Sequence, residues 1–146
     1  MQTILIKTEK DTQELANKLA KKFKGGEIIA LQGDLGAGKT TFTQALGHAL
    51  GIKKHITSPT FVLLKVYELG AQSSELMAFV HVDCYRLDEP QELFYLGLEE
   101  YLNNPKSVVV IEWADKIKVY LKKFKKVVWI KIKLRKSGRE FEIKHN

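Results

Sequence analysis

Short apolar runs alternate with stretches of helical period along the whole chain. Residues 27–32, 76–83 and 107–112 are apolar runs of strand length and read as buried strands. Ile4 to Ile6 is a shorter one, and 61–69 reads as another strand, followed by a turn over 70–74. Thr8-Glu9-Lys10-Asp11 has capping-box spacing with Asp in the acidic position. It predicts a helix to about Phe23, with Leu15, Ala16, Leu19, Ala20 and Phe23 inward and Lys24-Gly25-Gly26 ending it. Phe42, Ala45, Leu46, Ala49 and Leu50 share a second helical face, and Gly51 stops that helix. Asp88 as N-cap and Pro90 in the first turn predict a helix over 88–96. Gly97 breaks it before another turn or two at 98–102. A helix is expected over 114–124, with Ile117, Leu121 and Phe124 as its apolar positions. Alternation over 127–134 and 140–144 predicts two half-buried strands at a sheet edge, joined as an antiparallel hairpin by 135–139. Strands interleaved with helices imply an α/β sandwich of three layers, with helices on both faces of a mostly parallel sheet.

Between the strand at 27–32 and the helix after it lies Gly33-Asp34-Leu35-Gly36-Ala37-Gly38-Lys39-Thr40, followed by Thr41. This is a full match to the phosphate-binding P-loop pattern, in the strand–loop–helix context the pattern requires. Glycines let the backbone approach a ligand, and successive N–H groups form an anion-binding nest. The helix start adds its dipole to the same spot. Lys39 can reach the β- and γ-phosphates, and the Thr40 hydroxyl can ligate Mg²⁺. ATP and Mg²⁺ are thus the expected cofactors, and the Lys39 ammonium is expected to face solvent when no nucleotide is bound.

Two of the apolar runs end in a carboxylate, Asp83 and Glu112. In open α/β sheets the C-terminal strand edge is where ligands bind, and a Walker-B acid must sit there to hold the metal. A merely solvated or capping acid is the competing reading of each. The polar, proline-containing stretch His55-Ile56-Thr57-Ser58-Pro59-Thr60-Phe61 is either a γ-phosphate-sensing switch or an ordinary connection. The first helix either packs beside the nucleotide base or only covers the sheet.

At 146 residues the chain is expected to be one domain, 1–146. No run is long and apolar enough to span a membrane, residues 1–7 lack the apolar core of a secretory signal, and Cys84 is the only cysteine, so a cytoplasmic location away from membranes is expected. The net charge of +7 suggests an anionic partner. Lysines crowd 122–126 and continue through 131–139, as an RNA-facing stripe or as a solvated face that protects an edge strand.

Taken together, these motifs resemble the TsaE (YjeE) type of P-loop ATPase in bacterial tRNA threonylcarbamoyladenosine biosynthesis. The resemblance rests on the P-loop, on Ser58-Pro59-Thr60-Phe61, on His81-Val82-Asp83-Cys84-Tyr85-Arg86-Leu87, on Leu96-Gly97-Leu98-Glu99-Glu100-Tyr101 and on Ile111-Glu112-Trp113. It runs from about Glu9 to Trp113, with Gly138-Arg139-Glu140 matching the final hairpin; the lysine-rich 116–126 departs from it. It implies an ATPase that supports a threonylcarbamoyl transferase and its inactive-looking paralogue and meets tRNA only indirectly or weakly. Because Arg86 is the only arginine within the site motifs, slow hydrolysis without that complex is expected. Lys39, Asp83 and Glu112 would be catalytic, and Thr40 and Glu112 would hold Mg²⁺. Glu9, the P-loop from Gly33 to Thr41 and Arg139 would bind nucleotide. Ser58, Pro59, Thr60, Phe61, His81, Tyr85 and Arg86 would serve the switch and the partner, and Trp113 would report binding. A nucleotide-dependent regulatory module with negligible turnover is the alternative. A kinase needs an arginine-rich lid, and Arg86, Arg135 and Arg139 are the only arginines in the chain.

Overall fold

The computed structural model describes residues 1–59, 61–70 and 75–146. Its strands are β1 (Gln2–Ile6), β2 (Ile28–Gln32), β3 (Leu64–Glu68), β4 (Ala78–Asp83), β5 (Ser107–Glu112), β6 (Val127–Leu134) and β7 (Arg139–His145). The helices are α1 (Glu9–Ala20), α2 (Lys39–Ala49), α3 (Gln91–Tyr95), α4 (Leu98–Leu102) and α5 (Lys118–Leu121), with a 3-10 helix at Ala114–Ile117 before α5. All seven strands form one sheet in the order β1-β7-β6-β2-β5-β4-β3. The central four, β6-β2-β5-β4, are mutually parallel. The β6–β7 hairpin turns antiparallel as expected, and β1 and β3 add antiparallel strands at the two rims. The last hairpin is therefore backed by the first strand, whose Ile6 pairs with Arg139.

Side-chain alternation builds two cores. Ile29, Leu31, Val108, Val110, Ile130, Ile132, Phe141 and Ile143 meet α1 and α2 on one face. Ile28, Ala30, Val80, Val82, Val109, Ile111 and Val127 meet α3, α4, α5 and the 3-10 helix on the other. Central strands covered on both faces need continuous apolar runs, and that is how β2 and β5 read. Among the described residues, no helix is long and apolar enough to cross a membrane.

Several local expectations change. Thr8 does cap α1, with Asp11 returning the capping-box bond, but the helix ends at Ala20. Phe23 follows on tighter turns, its N–H bonded to the Ala20 carbonyl, and still packs on the core. Asp88 is not a cap: Pro90 stands at the N-cap of α3, and the Asp88 and Glu89 N–H groups both donate to Glu92. The stretch 61–69 is strand only from Leu64, because the Val62 and Leu63 N–H groups turn back onto the Pro59 carbonyl. The single helix expected over 114–124 is a 3-10 helix followed by one turn of α-helix. Trp113, at φ 56, sets the tight entry. Most of the turn expected at 70–74 lies outside the described residues.

Candidate nucleotide site

Parallel pairing brings the P-loop and both acids to one sheet edge. Leu31 and Asp83 are each in register with Glu112. Asp83 follows Phe79 and His81 in the alternation, and Glu112 follows Val108 and Val110, so both acids point to the α2 side. Asp83 is 4% and Glu112 2% exposed, which excludes merely solvated strand-end acids.

Glu112 is the hub. The Thr40 hydroxyl lies 3.0 Å from both of its oxygens. His81 Nε2 lies 2.7 Å from Oε1, and the Thr43 hydroxyl, which donates to the Lys39 carbonyl, is 3.5 Å from it. A carboxylate only accepts, so the proton in that contact belongs to His81 Nε2. His81 Nδ1 is buried and has no hydrogen-bond partner among the described residues. His81, expected with the switch and partner group, is fully buried, with its Nε2 against Glu112.

Lys39 overturns an expectation. It is only 5% exposed, because a buried ammonium must find hydrogen-bond acceptors and the loop supplies them. It donates to the carbonyls of Gly33 at 2.6 Å and Asp34 at 2.8 Å, and stands 4.1 Å from the centroid of the Trp113 ring. Burial lowers its pKa, with Glu112, then Asp83 and Asp34, pulling the other way. Asp34, Leu35 and Gly36 form the exposed tip of the loop, Ala37 is buried, and Thr41 faces solvent. Gly38 caps α2 in the left-handed region at φ 107. A Cβ there would stand 3.0 Å from Arg139 Nε, so the Arg139 side chain lies against the loop. Glu9 opens α1 three residues beyond the Ile6–Arg139 pair and is exposed.

Asp83 connects the site to 57–63. Its Oδ2 accepts from the Ser58 hydroxyl at 3.0 Å, and its Oδ1 accepts from the Tyr85 N–H at 2.9 Å. Leu63, at φ 65, accepts from the Asp83 N–H. Pro59 is buried, while Phe61 is 85% exposed with the Arg86 guanidinium stacked 4.7 Å from its ring centroid. Thr60 lies outside the described residues. The Tyr85 ring sits 5.1 Å from that of Trp113. Two non-glycine residues with positive φ, Leu63 and Trp113, flank this edge, as strained residues often do at functional sites. Cys84 follows Asp83, and burial with that neighbouring charge pushes its thiol up to about 12, which leaves it inert.

Hard oxygen donors suit Mg²⁺, which takes one or two protein oxygens and leaves the remainder to phosphates and water. Thr40 and Glu112 fit that demand. Among the described residues there is no group of three or more His, Cys, Asp or Glu that could form an all-protein cage. Thr43 and the inward role of His81 were missed in the sequence. Thr43 stands one helical turn from Lys39 and Thr40, which was the available signal.

The profile of the family described as "Threonylcarbamoyl adenosine biosynthesis protein TsaE" matches residues 6–141. The chain belongs to the TsaE family. Its relatives include tRNA threonylcarbamoyladenosine biosynthesis proteins TsaE of Rickettsia felis, 40% identical over 79% of this chain, and of Bacillus subtilis, 39% identical over 76%. The matched stretch spans 64% and 65% of those two proteins, just under two thirds of their length. The TsaE of Aquifex aeolicus is 33% identical over 81% of this chain and 80% of its own. The crystal structure of Bacillus subtilis YdiB aligns with a TM-score of 0.71 at 29% identity, over 96% of this chain and 82% of that one. TsaE membership fits a P-loop nucleotide-binding fold with its acids at the strand ends.

Proposed function

We propose that this chain is a Mg²⁺-dependent ATPase of the cytoplasm that serves the machinery of tRNA threonylcarbamoyladenosine formation. It would bind and cycle the transferase and its paralogue without transferring the group itself. The observation that carries the ATPase reading is the Glu112 carboxylate held by Thr40 at 3.0 Å on the strand beside the P-loop strand. The family carries the pathway.

In this reading Lys39 exchanges the Gly33 and Asp34 carbonyls for β- and γ-phosphate oxygens, which a charge-assisted bond favours. The α2 N-terminus and the loop N–H groups hold the phosphate chain. When bound, Mg²⁺ offsets the negative charge on the β- and γ-oxygens. His81 fixes the Glu112 carboxylate. Asp83 positions the attacking water or passes the nucleotide state through Ser58 to the switch. Phe61 and Arg86, stacked at the surface beside it, present a face whose shape depends on that tie. A partner reading this face would, by linkage, change nucleotide affinity.

Slow hydrolysis by the purified chain is expected, raised by the transferase complex. An arginine supplied in trans is worth about 10³–10⁵-fold in known cases. Arg139 beside Gly38 is the competing source in cis. Single-turnover hydrolysis with and without the complex, in wild type and Arg139→Ala, decides the matter. Fast turnover alone, lost in Arg139→Ala and indifferent to the complex, contradicts the expectation. Mg·ATP binding with no turnover under any condition would favour the regulatory module.

A further inference from the structure

The two faces of the sheet are unequally covered. On β6, Val128, Ile130 and Ile132 turn into the core with α1 and α2, so Trp129, Lys131 and Lys133 turn to the other side. There α3, α4 and α5 cover the centre of the sheet. Beyond them Lys131 and Lys144 are exposed, and Leu5 is 51% exposed. At the border, Trp129, Lys131 and Lys144 from the sheet face Lys118 and Lys122, one helical turn apart, across a cavity of about 350 Å³. Lys144 is in register with Trp129. Lys118 Nζ stands 5.9 Å from the centroid of the Trp129 ring. Glu142 also lines the cavity, but its carboxylate is paired with Lys133. Among the described residues, none of Lys118, Lys122, Lys131 and Lys144 forms an ion pair.

Four unpaired ammonium groups around one hollow repel one another, and an anionic ligand relieves that repulsion. Lysine is a point charge without the planar fork that reads base edges or carboxylates, so the set suits a phosphate backbone. A half-buried indole among the cations adds a stacking surface, the combination found in sequence-tolerant nucleic-acid grooves. An acidic protein surface would use the charges but not the ring.

We propose that the groove between α5 and the β6–β7 hairpin binds the phosphodiester backbone of RNA, with tRNA as the RNA; only that last choice rests on the role proposed above.

The test is fluorescence anisotropy of a labelled unmodified tRNA transcript against the full chain over a range of salt. Lys118, Lys122, Lys131 and Lys144 are changed together to Gln. A control changes Lys21, Lys24, Lys53 and Lys54, which line the cavity between the C-terminal ends of α1 and α2, and removes the same charge. The groove variant is expected to weaken binding at least ~10-fold at low salt and to flatten the salt slope by about 3, at roughly 0.7–0.9 per lost phosphate contact. The control is expected to keep the slope. Equal losses in both variants, or no wild-type binding at low salt, would overturn the proposal. So would unchanged tRNA affinity with lost binding to the transferase complex, which would assign the groove to a protein. ATP titration of the same samples reports folding and tests the nucleotide site separately, so either reading can fail alone.

Discussion

Lys39→Ala is expected to lose ATP turnover by at least ~10²-fold, the cost of removing one preorganised donor to developing negative charge, while the protein stays folded. Both halves follow from where Lys39 lies. Its bonds to the Gly33 and Asp34 carbonyls tie the loop to itself. Charge-assisted bonds of this kind contribute about 1.5–3 kcal/mol each. Burying the ammonium costs several kcal/mol in the opposite sense. The two offset, so the melting temperature should move by only a few degrees. The freed carbonyls sit beside the exposed loop tip, where water can reach them. A thermal melt followed by circular dichroism, alongside an ATPase assay, reads both. Wild-type turnover would remove Lys39 from the site. Collapse of the fold would make it a structural lysine.

The second large effect separates the two acids. Glu112→Gln should abolish the Mg²⁺ dependence of ATP binding, weakening affinity in Mg²⁺ at least ~10-fold, as losses at metal ligands and their supports do. Glutamine keeps the shape, and its carbonyl can still accept from Thr40. Its amide would meet the His81 Nε2 proton, but the unpartnered Nδ1 can take that proton and leave Nε2 as acceptor. The fold should therefore survive. Asp83→Asn is expected to behave differently. The Asn oxygen can still accept from the Tyr85 N–H, and the Ser58 hydroxyl can rotate to accept from the new amide. Mg·ATP binding should persist while turnover falls by roughly 10²–10⁴-fold, the range for a lost general base. Titrations in a Trp129→Phe background leave Trp113 as the reporting indole. Loss of metal dependence in Asp83→Asn instead would exchange the two roles.

The parts of the fold that were legible are those where burial writes itself into the chain. Strands β2 and β5, sealed between two layers, had to be unbroken apolar runs. Alternation in β6 and β7 announced a sheet with unequal faces. The P-loop was legible because a phosphate nest needs glycines at fixed spacing. Long-range choices were not. Nothing local in Gln2–Ile6 says that β1 pairs outside β7, yet this pairing sets Arg139 opposite Ile6. Trp113 at φ 56 breaks the helix expected after it, and a tryptophan gives no warning of that conformation as a glycine would. Lys39 was expected to face solvent and His81 to serve the switch and partner, and only the packed site shows why Lys39 is inside and why His81 meets Glu112. A sequence pattern reports which side of a strand is apolar. It does not report whether a helix covers the other side, so the open face of β6 and β7 appeared only in three dimensions.

The most direct test of the account is a calorimetric titration of the unaltered chain with ATP, with and without Mg²⁺, taken with the Trp113 emission in the Trp129→Phe background. A P-loop whose Thr40 and Glu112 take Mg²⁺ with the nucleotide predicts one ATP per chain, tighter binding in Mg²⁺, and an emission change that saturates with the heat. Absence of binding at millimolar ATP, or binding indifferent to both Mg²⁺ and Trp113, would contradict it.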